Sequence, residues 1–151
     1  MTAVITLQHA KPDDWETVLG IWREAARAAH PFVPGEGRGA RAHAVRADLL
    51  PRAETMLAKV DDRAVGVLCL LAKREQIAEI AKLYVLPSSQ KQGIGRALLN
   101  WASTQAPTLT APVFLRNTAG LGFWHAMGFS EAERAIDAAT AEVVVIMERQ
   151  T

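Results

Sequence analysis

A single cysteine, Cys69, stands among 151 residues. One thiol builds neither an internal disulfide framework nor a cysteine-based zinc site, and the apolar run around Cys69 marks it as a small buried hydrophobe. Blocks of like charge are also missing: 17 basic residues face 16 acidic ones, for a net charge of +1. That balance argues against a nucleic-acid surface. No apolar run approaches the ~18 residues of a membrane span, and the opening MTAVITLQHAKPDDW lacks the basic and apolar parts of a signal peptide. The expectation is a soluble, cytoplasmic protein with no nucleic-acid or membrane partner and no metal, as monomer or homodimer. Repeats and low-complexity tracts are absent, and half the residues are apolar, enough for one domain over residues 1–151 with its own core.

What is present is organised around the stretch from Glu79 to Trp101. A strand is predicted from Ile77 to Leu86, ended by Pro87, which has no N–H for a sheet ladder. Regular alternation would put Glu79, Ala81, Leu83 and Val85 on one face and Ile80, Lys82, Tyr84 and Leu86 on the other. Ser88, Ser89 and Gln90 form a turn. After them Ile94, Ala97, Leu98 and Trp101 recur at helical spacing. A strand feeding a glycine-bearing helix start suits a di-anion. The first amides of a helix have no helical partner, the dipole is positive there, and Gly93 and Gly95 have no Cβ to hold a pyrophosphate off. Lys91 and Arg96 add positive charge. A Walker loop is excluded because GxxxxGK followed by Ser or Thr is absent, and a dinucleotide fingerprint because Leu98 stands where a small residue is needed.

The rest of the chain reads as elements around that unit. Ala3 to Gln8 is a first strand, and a helix opening at Lys11 to Asp14 runs to Ala29, burying Trp15 and Trp22. His30 to Gly37 is a proline- and glycine-rich loop, with a short helix over Ala40 to Leu50. Glu54 to Val60 and Ala64 to Leu71 form a hairpin, the second strand apolar enough to be central. Ala106 to Pro112 is read as a link punctuated by proline and Val113 to Arg116 as a short strand. A helix from Asn117 or Thr118 stops at Gly128. Ser130 to Ile136 and Ala141 to Glu148 close the chain, VVVIM being a buried run.

QKQGIG, Gln90 to Gly95, resembles the Q/R-x-x-G-x-G/A signature of the GNAT superfamily of N-acetyltransferases. It follows a strand ending LYVLP, and NTAGLGFWHAMGF, Asn117 to Phe129, resembles the superfamily's N-x-x-A-x-x-F-Y-x-x-x-G-F segment. The resemblance implies an α+β fold with a central mixed, mostly antiparallel sheet of about seven strands, about four flanking helices, and a splay between strands four and five. It implies acetyl-coenzyme A as co-substrate, its pantetheine arm lying in the splay against the backbone of Leu83, Tyr84 and Val85. The pyrophosphate would meet the turn and helix start formed by Gln90, Lys91, Gln92, Gly93, Ile94, Gly95, Arg96 and Ala97. Asn117 would contact the arm, and Phe123 and Trp124 would pack beside the thioester.

The implied reaction is attack of a neutral primary amine on the thioester, through an oxyanion, with coenzyme A thiolate leaving. Glu79 matches the position of the catalytic glutamate in the histone-acetylating branch of the superfamily, the other reading being a solvated or ion-paired carboxylate, and the Val85 amide is the candidate oxyanion donor. The usual Phe-Tyr pair is Phe123-Trp124 here, and an indole does not give up its proton. Sulfur protonation then falls to water, His125 or the lone tyrosine, Tyr84. His30 is either a substrate contact or proton acceptor, or a cap on the negative end of the first helix. AAHPFV resembles the same region of small bacterial members proposed to act on protein lysines, while a protein amino terminus or a small-molecule amine stays open. The alternative is an acyl-CoA-binding sensor without efficient turnover, suggested by Trp124.

Overall fold

The computed structural model describes residues 4–151. In chain order the elements are β1 (Ile5–His9), α1 (Trp15–Ala29), α2 (Gly39–Ala44), β2 (Glu54–Val60), β3 (Arg63–Arg74), β4 (Ile77–Val85), α3 (Ile94–Ser103), β5 (Thr108–Phe114), α4 (Thr118–Ala126), β6 (Ser130–Ile136) and β7 (Val143–Gln150). The seven strands make one sheet in the order β1-β2-β3-β4-β5-β7-β6. Only β4 and β5 run parallel, as their connection through α3 requires. The α+β architecture expected from the sequence is thus present. Ala3, the expected start of the first strand, lies outside the described residues.

Helices cover both faces of the middle of the sheet. α1 opens after a 3₁₀ turn over Pro12–Asp14, where the Asp14 carboxylate accepts the Lys11 N–H at 2.9 Å. It buries Val18, Leu19, Ile21, Trp22, Ala25 and Ala26 against β3 and β4. α2 continues into a single π turn over Val45–Leu49. On the opposite face α3 buries Ile94, Leu98, Leu99 and Ala102. Its approach is close: a Cβ on Gly66 of β3 would lie 2.8 Å from Ile94 Cγ2. β3, covered on both faces, is buried without a break from Val65 to Leu70, which is why its sequence is continuously apolar. The β2–β3 hairpin turns on Asp61 (φ 52°) and Asp62 (φ 61°), the two left-handed residues of a type I′ turn.

Three expectations fail, each for a physical reason. β5 starts at Thr108, inside the segment read as a link, and ends at Phe114. Pro112 sits within it, opposite Ile146 of β7, because its missing N–H falls on the side turned away from β7. Second, β4 is not regular. Cys69 pairs with Lys82 while Leu70 pairs with Ile80, so Ala81 is an extra, bulged residue. Directly opposed residues share a face, and Leu71, Cys69 and Val67 alternate to one side, opposite Glu79, Lys82 and Tyr84. Glu79 and Tyr84 therefore lie on the same face of the sheet, contrary to the alternation expected of a regular strand. Third, β7 is only half buried: Val145 and Met147 are enclosed while Val143, Val144 and Ile146 are not, since no helix covers the second face there.

Candidate active site

β4 and β5 pair only at Ile77–Thr108, Ala78–Leu109 and Glu79–Thr110. Beyond Glu79 the two strands separate, and a gap opens along Ile80 to Val85 on one side and Ala111 to Phe114 on the other. Leu86 N–H donates to Val65 O at 2.8 Å, so Leu86 and Tyr84 turn their backbone groups toward β3. Alternation then turns those of Val85 and Leu83 into the gap. The Val85 carbonyl accepts from Gln90 Nε2 at 3.2 Å, and its N–H is left facing the opening.

The far end of the gap meets the turn after Pro87. Ala97 N–H makes the first intrahelical bond of α3, to Gly93 O at 3.0 Å. The six amides before it, Lys91 to Arg96, have no hydrogen-bond acceptor among the described residues. Gly93 is left-handed at φ 83°, which swings the chain so that these donors converge at the helix start. Gly95 faces Phe123 of α4, whose Cε1 would lie 3.2 Å from an added Cβ. That contact seats α4 against the same helix start. Trp124, 7% exposed, packs on Phe129 at 4.8 Å between ring centroids. Six convergent, unused backbone donors continuous with an unpaired strand edge fit a diphosphate joined to an extended arm that bonds as a sheet neighbour would.

The face of β4 that carries Glu79, Lys82 and Tyr84 is roofed by α1 and the loop after it. Glu79, at the vertex of the gap, has Lys73 Nζ 3.5 Å from Oε1 and a side chain 24% exposed. Lys82 holds its ammonium 5.4 Å over Trp22 and 6.0 Å over Tyr84, and burial lowers its pKa. Burial likewise pushes the Tyr84 phenol above its ordinary value, so it stays protonated. His125, by contrast, is exposed on α4.

His30 is buried against residues of both parted strands. Its ring lies 6.1 Å from Tyr84 on β4 and 4.9 Å from Phe114 on β5. The side chain does not cap α1. Nδ1 sits 2.8 Å from Glu36 Oε2, and Nε2 lies 3.3 Å from Asn117 Nδ2. Arg41 Nε donates to the other Glu36 oxygen at 2.9 Å, and Asn117 Oδ1 accepts the Gly120 N–H at 3.0 Å. These bonds set every proton: Asn117 must present its NH₂ to His30, so Nε2 accepts and Nδ1 carries the hydrogen given to Glu36. Burial works to raise the Glu36 pKa, but the bonds from His30 and Arg41 outweigh it and hold the carboxyl below its ordinary value. The sequence points to His30 and Asn117 separately and gives Glu36 no role. Nothing in the spacing of His30, Glu36 and Asn117 announces that they form one chain.

A sheet parted beside an anion-ready helix start, with a carboxylate at the vertex, defines an acyl-CoA-dependent transferase. Comparison with known proteins agrees. The model of the acetyltransferase (GNAT) family matches residues 15–129, and the chain belongs to that family. It is 32% identical over 133 residues to the peptidyl-lysine N-acetyltransferase YjaB of Salmonella typhimurium, covering 87% of this chain and 88% of that one. It is 24% identical to the peptidyl-lysine N-acetyltransferase YiaC of Escherichia coli over 82% of each. Among solved structures, the solution structure of apo YjaB from Escherichia coli aligns with a TM-score of 0.80 and 27% identity, covering 96% of this chain and 97% of that one. The PaiA N-acetyltransferase of Thermoplasma acidophilum, solved with coenzyme A, shares the fold with a TM-score of 0.78 at 19% identity, covering 98% and 99%. The protein is thus an N-acetyltransferase that uses acetyl-CoA and acts on an amine, and the sensor alternative is not favoured. Among the described residues no helix is long and apolar enough to cross a membrane, and no cluster of side chains is arranged for a metal ion.

Proposed function

We propose that this chain acetylates the ε-amine of lysine residues in proteins or peptides, by direct attack on acetyl-CoA. The observation that carries the reading is Glu79 at the vertex of the β4–β5 gap, on the face toward α1 and α2. An amine entering from that face meets the carboxylate where the strands part. The names of the relatives, peptidyl-lysine N-acetyltransferases at 32% and 24% identity, support lysine as acceptor.

Residue roles follow from placement. The amides of Lys91 to Arg96 take the diphosphate, with the Lys91 and Arg96 side chains beside it and Gln92, Ile94 and Ala97 contributing backbone. Leu83 and Val85 offer their gap-facing groups to the pantetheine arm, and the Val85 N–H serves the oxyanion, a fixed dipole with little to reorganise. Glu79 removes the ammonium proton, and the Tyr84 phenol, on the same face and kept protonated by burial, offers a hydrogen bond to the leaving sulfur while water supplies its proton. His30 has both ring nitrogens engaged, so its role here is to aim Asn117 at the cofactor arm, while Phe123 and Trp124 wall the far side. The test is thiol release on lysine peptides. Glu79→Gln should lower kcat by about 10²-fold or more, the usual scale of a positioned base, with acetyl-CoA binding retained. Unchanged turnover in that variant would remove Glu79 from the reaction.

A further inference from the structure

Beside His30 lies a cavity of about 310 Å³ whose lining includes Arg27, His30, Val33, Glu36 and Arg38. That volume is at the small end for a ligand site and leaves ample room for an acidic side chain. It is built in advance. Arg23 Nε donates to Gly37 O at 3.0 Å, and a Cβ on Gly37 (φ 84°) would lie 2.8 Å from Arg23 Cγ. Only glycine lets the loop fold back so closely. The charge inside is one-sided. Glu36 is already paired with His30 and Arg41, whereas Arg27 and Arg38 take part in no ion pair among the described residues. Both are exposed, so they flank the opening with two uncompensated guanidinium groups.

We infer that this cavity receives an acidic side chain of the acceptor, so that the enzyme prefers lysines with Asp or Glu close by in sequence. The inference rests on the lysine-acceptor reading above. His30 joins the two regions: it lines the cavity and packs near Tyr84 and Phe114, which border the gap. In an extended peptide, side chains on one face repeat about every 7 Å. An acid two residues from the target lysine shares its face about 7 Å away, and the inferred binding mode sets that acid at the arginines with the lysine at Glu79. Guanidinium suits this task because it binds carboxylate through two parallel N–H bonds.

The experiment compares steady-state acetylation of three otherwise identical peptides, each with one lysine flanked at two positions by Asp, Ala or Lys. With the unaltered protein, the Asp peptide should show a KM about threefold to tenfold below the Ala peptide, with similar kcat, and the advantage should fall as salt rises. In Arg27→Ala/Arg38→Ala the ratio between Asp and Ala peptides should approach one. Arg27→Glu/Arg38→Glu should invert the order in favour of the Lys-flanked peptide. Turnover of all three peptides with equal KM, or a preference that survives in the double variants, overturns the inference while leaving lysine acetylation standing. Turnover of none, with acetyl-CoA still bound, would instead remove the lysine-acceptor reading and this inference together.

Discussion

Replacing Glu36 tests the buried chain that joins the α1–α2 loop to α4. Its carboxylate, 2% exposed, accepts from His30 Nδ1 at 2.8 Å and Arg41 Nε at 2.9 Å. In Glu36→Ala both donors lose their acceptor. Arg41, with 26% of its side chain exposed, can turn to water, but His30 at 5% cannot. Removing one member of a buried charged group costs about 3–5 kcal/mol, and the escape of Arg41 places this case near 3. For a domain of this size that corresponds to a fall in Tm of roughly 6–12 °C. Glu36→Gln keeps one acceptor oxygen and should lose only about 1–2 kcal/mol. The pH dependence has a definite sign. The folded carboxyl titrates below its ordinary value of 4.5, so its stabilisation is complete above that value and lost as pH falls through the folded one. Urea unfolding of the unaltered protein and of Glu36→Gln should therefore differ at pH 7 and converge in acid. A difference that stays constant down to pH 3, or a Glu36→Ala variant within about 0.5 kcal/mol of the parent, would refute the account of the network.

Three further outcomes follow from other sites. Gly93→Ala places a Cβ at φ 83° with nothing within 4 Å of it, so its cost is backbone strain of about 1 kcal/mol, and calorimetry should show weaker acetyl-CoA binding because the donor cradle opens. An unchanged dissociation constant would argue against the cradle. Cys69 is 1% exposed and its thiol is pushed up to about 11 by burial, so iodoacetamide at pH 7.5 should label it only in denaturant; rapid labelling of the native protein would contradict the packing. Lys82 lies over two rings with no carboxylate in an ion pair with it among the described residues, so Lys82→Met should leave stability unchanged or raise it by about 1 kcal/mol in urea titrations; a clear loss would mean that the ammonium is held by more than the rings.

The strand, turn and helix of the proposed cofactor half are legible because they are specified locally. Pro87, Gly93 and the periodic Ile94, Leu98 and Trp101 specify a strand, a left-handed swing and an amphipathic helix within one short stretch. In the proposed reading backbone amides do the binding, so no distant side chain has to be guessed. The acceptor half was much less so. Glu36 is six residues from His30, and Asn117 is 87 away; what brings them together is the fold of the loop through Gly37 onto Arg23 and the place of β5 beside β4. A buried glutamate has the same letter as a solvated one. The face of Tyr84 was misjudged for a related reason. An inserted residue in β4 reverses the sense of alternation, and small, neutral Ala81 gives no local sign of it.

The opening of the sheet is itself encoded twice, once on each strand, and at matching distances from the vertex. On β4 the extra residue is Ala81, two past Glu79; on β5 the proline is Pro112, two past Thr110, and Glu79 and Thr110 form the last pair. Leu115 N–H donates to Val143 O at 2.8 Å, so Val113 and Ala111 turn toward β7 while Phe114 and Pro112 turn toward the gap. Pro112 therefore costs β7 no hydrogen bond and withholds a donor only from the side where β4 would otherwise zip closed. The bulge at Ala81 adds twist and bends β4 away. It also carries Tyr84 round to the face of Glu79. A strand edge without its neighbour is ordinarily a hazard for aggregation. On the proposed reading, the unpaired edge between α1 and α3 is where an extended pantetheine arm completes the ladder, so the same two residues that break the sheet would create its binding slot.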